Sequence, residues 1–418
     1  MTRVRSIAVA ISLTLGGMVP AVTLLAPAAQ AAEQAANKIT TKEVAKPLKA
    51  AQEAMQKKQW DVALTEIKKA QAVEKKTPFE AYQIDEFQGY VLIQQKKFSD
   101  AAPVFERMLN SGLVPPEQVD DRTKAVAQMY FQEKEYKKAA EWTKKWLAKH
   151  PGDEDMTVLL GQTQYLTEDY KGAASTMSQV VANDEKAGRT PKENYLQIVL
   201  SSQFKQDNKE GVADALKKMV RYYPAPQYWE NLTDIYCRKQ TSDRVTLGFY
   251  RLMNEVGVLK DKGDFVEMSQ LAIEAGVPGE AESTMQKGID SGVLKSDDKT
   301  EQGRYTRLLE AAKKQATTDR ASLPQQAKDA DKASQGQPSV GLGQAYLSYG
   351  MYDEAISAIQ AGIKKGTVTD ADEAQISLGI AQLKKGQKDA ARQTFKGIKA
   401  DSKWADLAAL WALRTYQA

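Results

Sequence analysis

A short phrase recurs along this chain, and its spacing limits the fold more than any other feature. A polar residue is followed by a ring, two further residues and a small apolar residue. It reads Gln59-Trp60-Asp61-Val62-Ala63, Lys97-Phe98-Ser99-Asp100-Ala101, Glu135-Tyr136-Lys137-Lys138-Ala139, Asp169-Tyr170-Lys171-Gly172-Ala173 and Met351-Tyr352-Asp353-Glu354-Ala355. Weaker copies run Asn208–Val212, Val277–Ala281 and Gln387–Ala391. The second position falls at 60, 98, 136, 170, 352 and 388, so neighbouring copies step by 38, 38, 34 and 36 residues. A period in the mid-thirties is what two short helices and two turns require.

Other positions keep the same register. Nine residues before the ring stands a small residue: Ala51, Gly89, Ala127, Gly161, Gly343, Gly379. Six before it an apolar residue is common: Leu92, Tyr130, Tyr346. Seven after it the residue is often large and apolar: Ile67, Phe105, Met177, Ile359, Phe395. Pro151 and Pro224 stand fifteen after it and end the second helix. Spacings of three, four and seven put these residues on one helical face. The small residue lets the first helix lie close to the second, the ring plugs the turn, and the Ala three residues on faces inward.

These positions recurring together resemble the tetratricopeptide repeat family, over roughly Lys42 to Pro224 and again Gly341 to Ala400. The large aromatic that often starts the family's first helix is missing from most copies, and steps of 38 exceed the family's period, which implies lengthened helices or turns. The resemblance implies an all-α, right-handed superhelical solenoid of helix-turn-helix units with a concave interaction surface. The middle is less regular. Tyr228-Trp229 to Tyr236, Leu247 to Val256 and Phe265 to Ala275 mark amphipathic helices of one or two degenerate units. An echo of Gln286–Gly292 in Gln360–Gly366 supports continuity, and Thr300 to Ala316 reads as helix. Thr317 to Pro338 is polar with Pro324, Gly336 and Pro338, and reads as a linker or exposed helix. The expected organisation is a leader at 1–31, a repeat array at 32–224, degenerate repeats at 225–316, the polar stretch at 317–338 and further repeats at 339–418.

The leader rests on Arg3 and Arg5, an apolar run from Ile7 to Leu25, and the small-x-small pattern Ala29-Gln30-Ala31. That order is a secretory signal peptide, cleaved near Ala31 and leaving a periplasmic protein with no stable membrane insertion. No later stretch approaches the ~20 apolar residues of a membrane span. Lys and Arg number 58 against 54 acidic residues, a net charge of +4 that gives no argument for nucleic acid.

Reactive groups are few. Cys237 is the only Cys, so no intramolecular disulfide forms, and it follows Ile235-Tyr236 as a small buried hydrophobe would. His150 is the only His, in Lys149-His150-Pro151 at a helix end, where it caps carbonyls or faces water. No paired-His metal motif, phosphate-cradling glycine loop or Ser/His/Asp set is present. The expectation is therefore no catalytic residue, no metal and no cofactor. Acidic pairs such as Glu154-Asp155 and Asp297-Asp298 read as helix N-termini.

In proteins similar to this one, residues eight and five before the turn ring point into the concave surface. Carried onto this chain, they are Tyr90 and Ile93, Gln128 and Phe131, Gln162 and Tyr165, Gln344 and Leu347, and, in a weaker copy, Ser201 and Phe204. An amide beside a ring suits the backbone and a side chain of an extended peptide; the other reading packs Phe131 and Tyr165 against neighbouring helices. The expected partners are other envelope proteins or peptide segments. The 229–292 region and the C-terminal copies look like proteobacterial envelope repeat proteins, some associated with the TonB–ExbB–ExbD energy-transducing system. The expected function is a periplasmic scaffold or adaptor; a holdase-like chaperone and a helical polysaccharide-acting enzyme are the alternatives.

Overall fold

The computed structural model describes residues 38–417, and the leader at 1–31 lies outside them. The described residues form twenty helices, connected by turns, in two compact units that divide between Gly211 and Val212.

In the N-terminal unit, α1 (Lys42–Gln56) pairs with α2 (Trp60–Gln71), α3 (Pro78–Gln94) with α4 (Phe98–Asn110), α5 (Pro116–Gln132) with α6 (Tyr136–Lys149), and α7 (Glu154–Leu166) with α8 (Tyr170–Lys186). Helix α9 (Glu193–Lys205) packs on α8, and α10 (Lys209–Tyr222) runs across the boundary between the units. The rings at 60, 98, 136 and 170 each begin a second helix. Helices α3 and α5 have 17 residues where α7 has 13, so one extra helical turn accounts for the steps of 38 against 34.

The turn inside each hairpin is built the same way. The residue two before the ring position takes a left-handed conformation: Lys58, Lys96, Lys134, Glu168 and Asp207, then Gly276, Gly350 and Gly386. The next N–H reaches back to the final turn of the first helix, as in Lys97 N–H to Leu92 O at 2.9 Å and Asp169 N–H to Gln164 O at 2.8 Å. This is the two-bond closure that satisfies carbonyls left over at a helix end.

The small and large positions of the repeat meet across each hairpin. A Cβ on Gly89 would stand 2.9 Å from the Phe105 ring, one on Gly161 2.3 Å from Met177 Sδ, and one on Gly379 2.4 Å from the Phe395 ring. Rings and aliphatic side chains from both helices fill the space, with Phe105, Ile67, Met129 and Phe395 wholly buried.

The C-terminal unit continues with α11 (Pro226–Cys237), α12 (Asp243–Glu255), α13 (Lys262–Glu274) and α14 (Pro278–Asp290). Then come α15 (Lys299–Lys332), α16 (Gln337–Ser348), α17 (Tyr352–Lys365), α18 (Ala371–Lys384), α19 (Lys388–Lys396) and α20 (Ala405–Arg414). The polar stretch is no linker as far as Lys332: it is the second half of the 34-residue α15. Tyr305, Ala312, Ala316, Leu323 and Ala330 form its one buried seam. The first part of that seam joins a core with Phe265 and Met285, and the last part joins one with Leu342 and Ala345. A narrow seam explains the polar composition, since the remaining faces of the helix meet water.

Candidate functional site

The residues carried over from the repeat register fall in both units. In the N-terminal unit, Ile93, Phe131, Tyr165 and Phe204 occupy one position near the C-terminal ends of α3, α5, α7 and α9. Ile93, Phe131 and Tyr165 are half-buried, and Phe204 is 42% exposed. The Phe131 ring lies 5.7 Å from Tyr136 and the Tyr165 ring 5.6 Å from Tyr170, so each leans on the ring that plugs its own turn. The Tyr165 hydroxyl also hydrogen-bonds Ser201 Oγ at 2.7 Å, tying α7 to α9. Tyr90 lies 6.2 Å from Trp60 of the preceding hairpin. Gln128 is half-buried, whereas Gln162 is buried and leaves little of its amide for a partner.

Gln344 and Leu347 instead line a cavity of about 660 Å³ in the C-terminal unit. Its walls come mainly from α12, α14, α16, α18 and α20. Consecutive walls are tied by polar contacts. Arg251 on α12 donates to both oxygens of Glu280 on α14, Nε–Oε1 at 2.9 Å and Nη2–Oε2 at 2.7 Å. The Gln344 amide of α16 donates to Ser377 Oγ of α18 at 3.2 Å. Glu255 on α12 accepts from Lys384 of α18 and from Arg414 of α20, the latter at 3.1 Å. Burial works against the Arg251 charge, and the Glu280 carboxylate more than offsets it, so the guanidinium stays charged. Most charges on these walls therefore answer one another. Leu347 and Ile380 supply apolar patches between them. A lining of this kind suits a ligand with polar and apolar parts and little net charge.

Reading the sequence missed Arg251, Glu255, Glu280 and Lys384 as lining residues. Their one local signal is charge inside an apolar run, as in Phe249-Tyr250-Arg251-Leu252-Met253. The isolated reactive groups have other surroundings than a site requires. His150 neither caps carbonyls with its ring nor simply faces water: it stacks on Trp146 at 4.1 Å and holds Asp120 Oδ2 at 2.9 Å from Nε2. Burial, with Glu267, Asp264 and Asp234 nearby, pushes the Cys237 thiol up to about 12. At the acidic pairs, the N-terminal caps are Asp153 for α7 and Asp298 for α15. Among the described residues there is no group of three or more His, Cys, Asp or Glu able to hold a metal ion, and no helix long and apolar enough to cross a membrane.

Repeated hairpins with a shared turn, a small-to-large contact and a line of first-helix side chains define an all-α protein of tetratricopeptide-like helical repeats. The family model described as tetratricopeptide repeat matches residues 340–403, the stretch from α16 to the approach to α20. No curated protein matches the chain. Among solved structures, MamA from Desulfovibrio magneticus is similar at 18% identity, with 44% of this chain and 98% of that one covered and a TM-score of 0.28. A tetratricopeptide repeat protein from Parabacteroides merdae is similar at 14% identity, covering 65% and 99%, with a TM-score of 0.28. The apo form of RapI is similar at 16% identity, covering 66% and 99%, with a TM-score of 0.27. Stacked repeats of this kind form extended surfaces suited to protein–protein interaction.

Proposed function

We propose that this scaffold is exported to the periplasm, where the first helices of its N-terminal unit hold an extended segment of an envelope protein and present it to a second one. The observation that carries this reading is the row Ile93, Phe131, Tyr165 and Phe204. A large apolar side chain at one position of four successive first helices stays half-buried to exposed, with Phe204 at 42%. Leu347 holds the same register position in α16. A folded chain ordinarily scatters such side chains singly; a periodic row gives a peptide its alternate side-chain pockets. The export leader reads from Arg3 to Ala31, and the TonB–ExbB–ExbD components are the first partners to test.

The experiment is photo-crosslinking in the native host, with a crosslinkable residue replacing Phe131 or Tyr165 and exposed Lys144 of α6 as the control. One dominant envelope protein trapped at both sites and absent from the control identifies an adaptor and its partner. Many trapped clients would make the protein a holdase instead. No product above the control removes the first-helix row as a binding surface.

A further inference from the structure

We infer that the cavity of the C-terminal unit is a binding site for an uncharged, polyhydroxylated ligand, a short oligosaccharide. The proposal concerns a different unit from the first-helix row and does not rest on that reading. At about 660 Å³ the cavity falls within the roughly 300–1,000 Å³ of small-molecule sites. Its charges are nearly balanced, since four cationic and three carboxylate side chains line it. The least exposed of them are already engaged, Arg251 with Glu280 and Glu255 with Lys384. A charged ligand would have to displace such a partner, and breaking a largely buried pair leaves an uncompensated charge behind. Selection therefore falls to hydrogen bonds.

Four helices leave hydrogen-bonding capacity on these walls. On α12, Asn254 gives its side-chain oxygen to Lys287 and keeps its amide N–H groups. On α14, the half-buried Glu282 has no cationic partner among the described residues. The Ser283 hydroxyl beside it donates to the Glu280 carbonyl and keeps its lone pairs. On α16, Gln344 donates to Ser377 and keeps its oxygen. On α20, Trp411 is 1% exposed, and its indole N–H has no acceptor among the described residues. A buried indole N–H ordinarily has one. The residual set thus mixes donors with acceptors. A hydroxyl is the neutral group that serves both, donating to Glu282 or Gln344 while accepting from Asn254. A peptide backbone divides the two functions between N–H and C=O. Leu347, Ile380 and the Tyr352 ring lie among these polar groups and offer the apolar surface on which the C–H face of a sugar ring rests.

The test is isothermal titration calorimetry on the full chain with the neutral disaccharides maltose, lactose and N,N′-diacetylchitobiose, which differ in ring configuration and in acetamido groups. The tripeptide Ala-Leu-Ala is titrated for comparison. At least one disaccharide is expected to bind saturably, with little change between low salt and about 1 M, where screening would weaken a charged ligand. Glu282→Gln weakens that binding by about tenfold or more, as the loss of a charged acceptor does, and Asn254→Ala weakens it several-fold. Exposed Lys144→Ala in α6 leaves it unchanged. Should one of the two cavity variants lose helicity by circular dichroism, the other decides. No binding of any of the disaccharides at about 10 mM overturns the proposal. So does binding that both variants leave intact, because the sugar would then sit elsewhere. Tripeptide binding that is tighter than that of every sugar and falls in the same variants would make the cavity a peptide site, and overturns the proposal as well.

Discussion

Glu80 is a carboxylate without access to water that serves two helices at once. On its own helix it closes a capping box with Thr77, accepting the Thr77 N–H at 2.8 Å. Towards the preceding hairpin it accepts the N–H groups of Thr40 and Thr41 at 2.9 and 2.8 Å, and the Thr41 hydroxyl at 3.0 Å, at the start of α1. Burial alone would raise its pKa; the hydrogen bonds from Thr41, Thr77 and Thr40 outweigh it and bring the group to about 2. Glu80→Gln is expected to cost about 2–3 kcal/mol at neutral pH, since charge-assisted bonds are lost and donors are left buried. Because the folded pKa lies below the unfolded one, this stabilisation is present above about 4.5 and disappears as pH falls through about 2. Denaturant titrations of the two proteins should therefore converge over that window; a constant difference would refute the account. The repeat glycines make a second expectation at this scale. Gly379→Ala should destabilise by about 1–3 kcal/mol through overpacking against Phe395. Adding Phe395→Leu should recover part of that loss, giving a coupling energy in a double-mutant cycle.

At the scale of the element, the turns show a difference between the two units. The left-handed turn position is Lys58, Lys96, Lys134, Glu168 or Asp207 in the first hairpins and Gly276, Gly350 or Gly386 in the later ones. A side chain in that conformation costs about 1 kcal/mol. Lys96→Gly is thus expected to stabilise by up to about 0.5 kcal/mol once the extra freedom of glycine in the unfolded chain is subtracted. Gly386→Lys should lose about 1 kcal/mol, and equilibrium unfolding decides both. The hairpins themselves were legible in the sequence because the contacts that make them are local: Gly161 meets Met177 sixteen residues away, and each ring begins a second helix. The turn strain was not legible, since Lys and Asp give no composition signal where glycine would. The stretch 317–338 left linker and exposed helix both open for a related reason, and as far as Lys332 it is helix. A helix buried along a seam of Tyr305, Ala312, Ala316, Leu323 and Ala330 has the composition of a linker.

For the molecule as a whole, the cavity was illegible because it is assembled from residues far apart in sequence. Gln344 and Leu347 follow from the repeat, whereas Arg251 and Glu255 come from helices where the repeat has decayed. The end of the chain has a structural part in that assembly: Trp404, Leu410 and Trp411 are each no more than 1% exposed. Truncation after Lys403 should cost several kcal/mol at about 1.5–3 kcal/mol per large buried side chain. Hydrogen exchange should show the loss of protection in 212–403, with the N-terminal hairpins unaffected. Protection unchanged in α12 and α18 would mean that α20 is a passenger.

The partners of Glu255 also set an order of events during synthesis. A hairpin such as α5–α6 has both of its helices as soon as it leaves the ribosome, so its core forms while the rest is being made. Glu255 lies 159 residues ahead of Arg414. Helix α12 therefore emerges long before the side chain that completes its surroundings exists, and the loop to be closed is among the longest in the unit. The C-terminal unit finishes folding only after α20 has emerged, which leaves its inner wall open to a companion while the intervening helices are made.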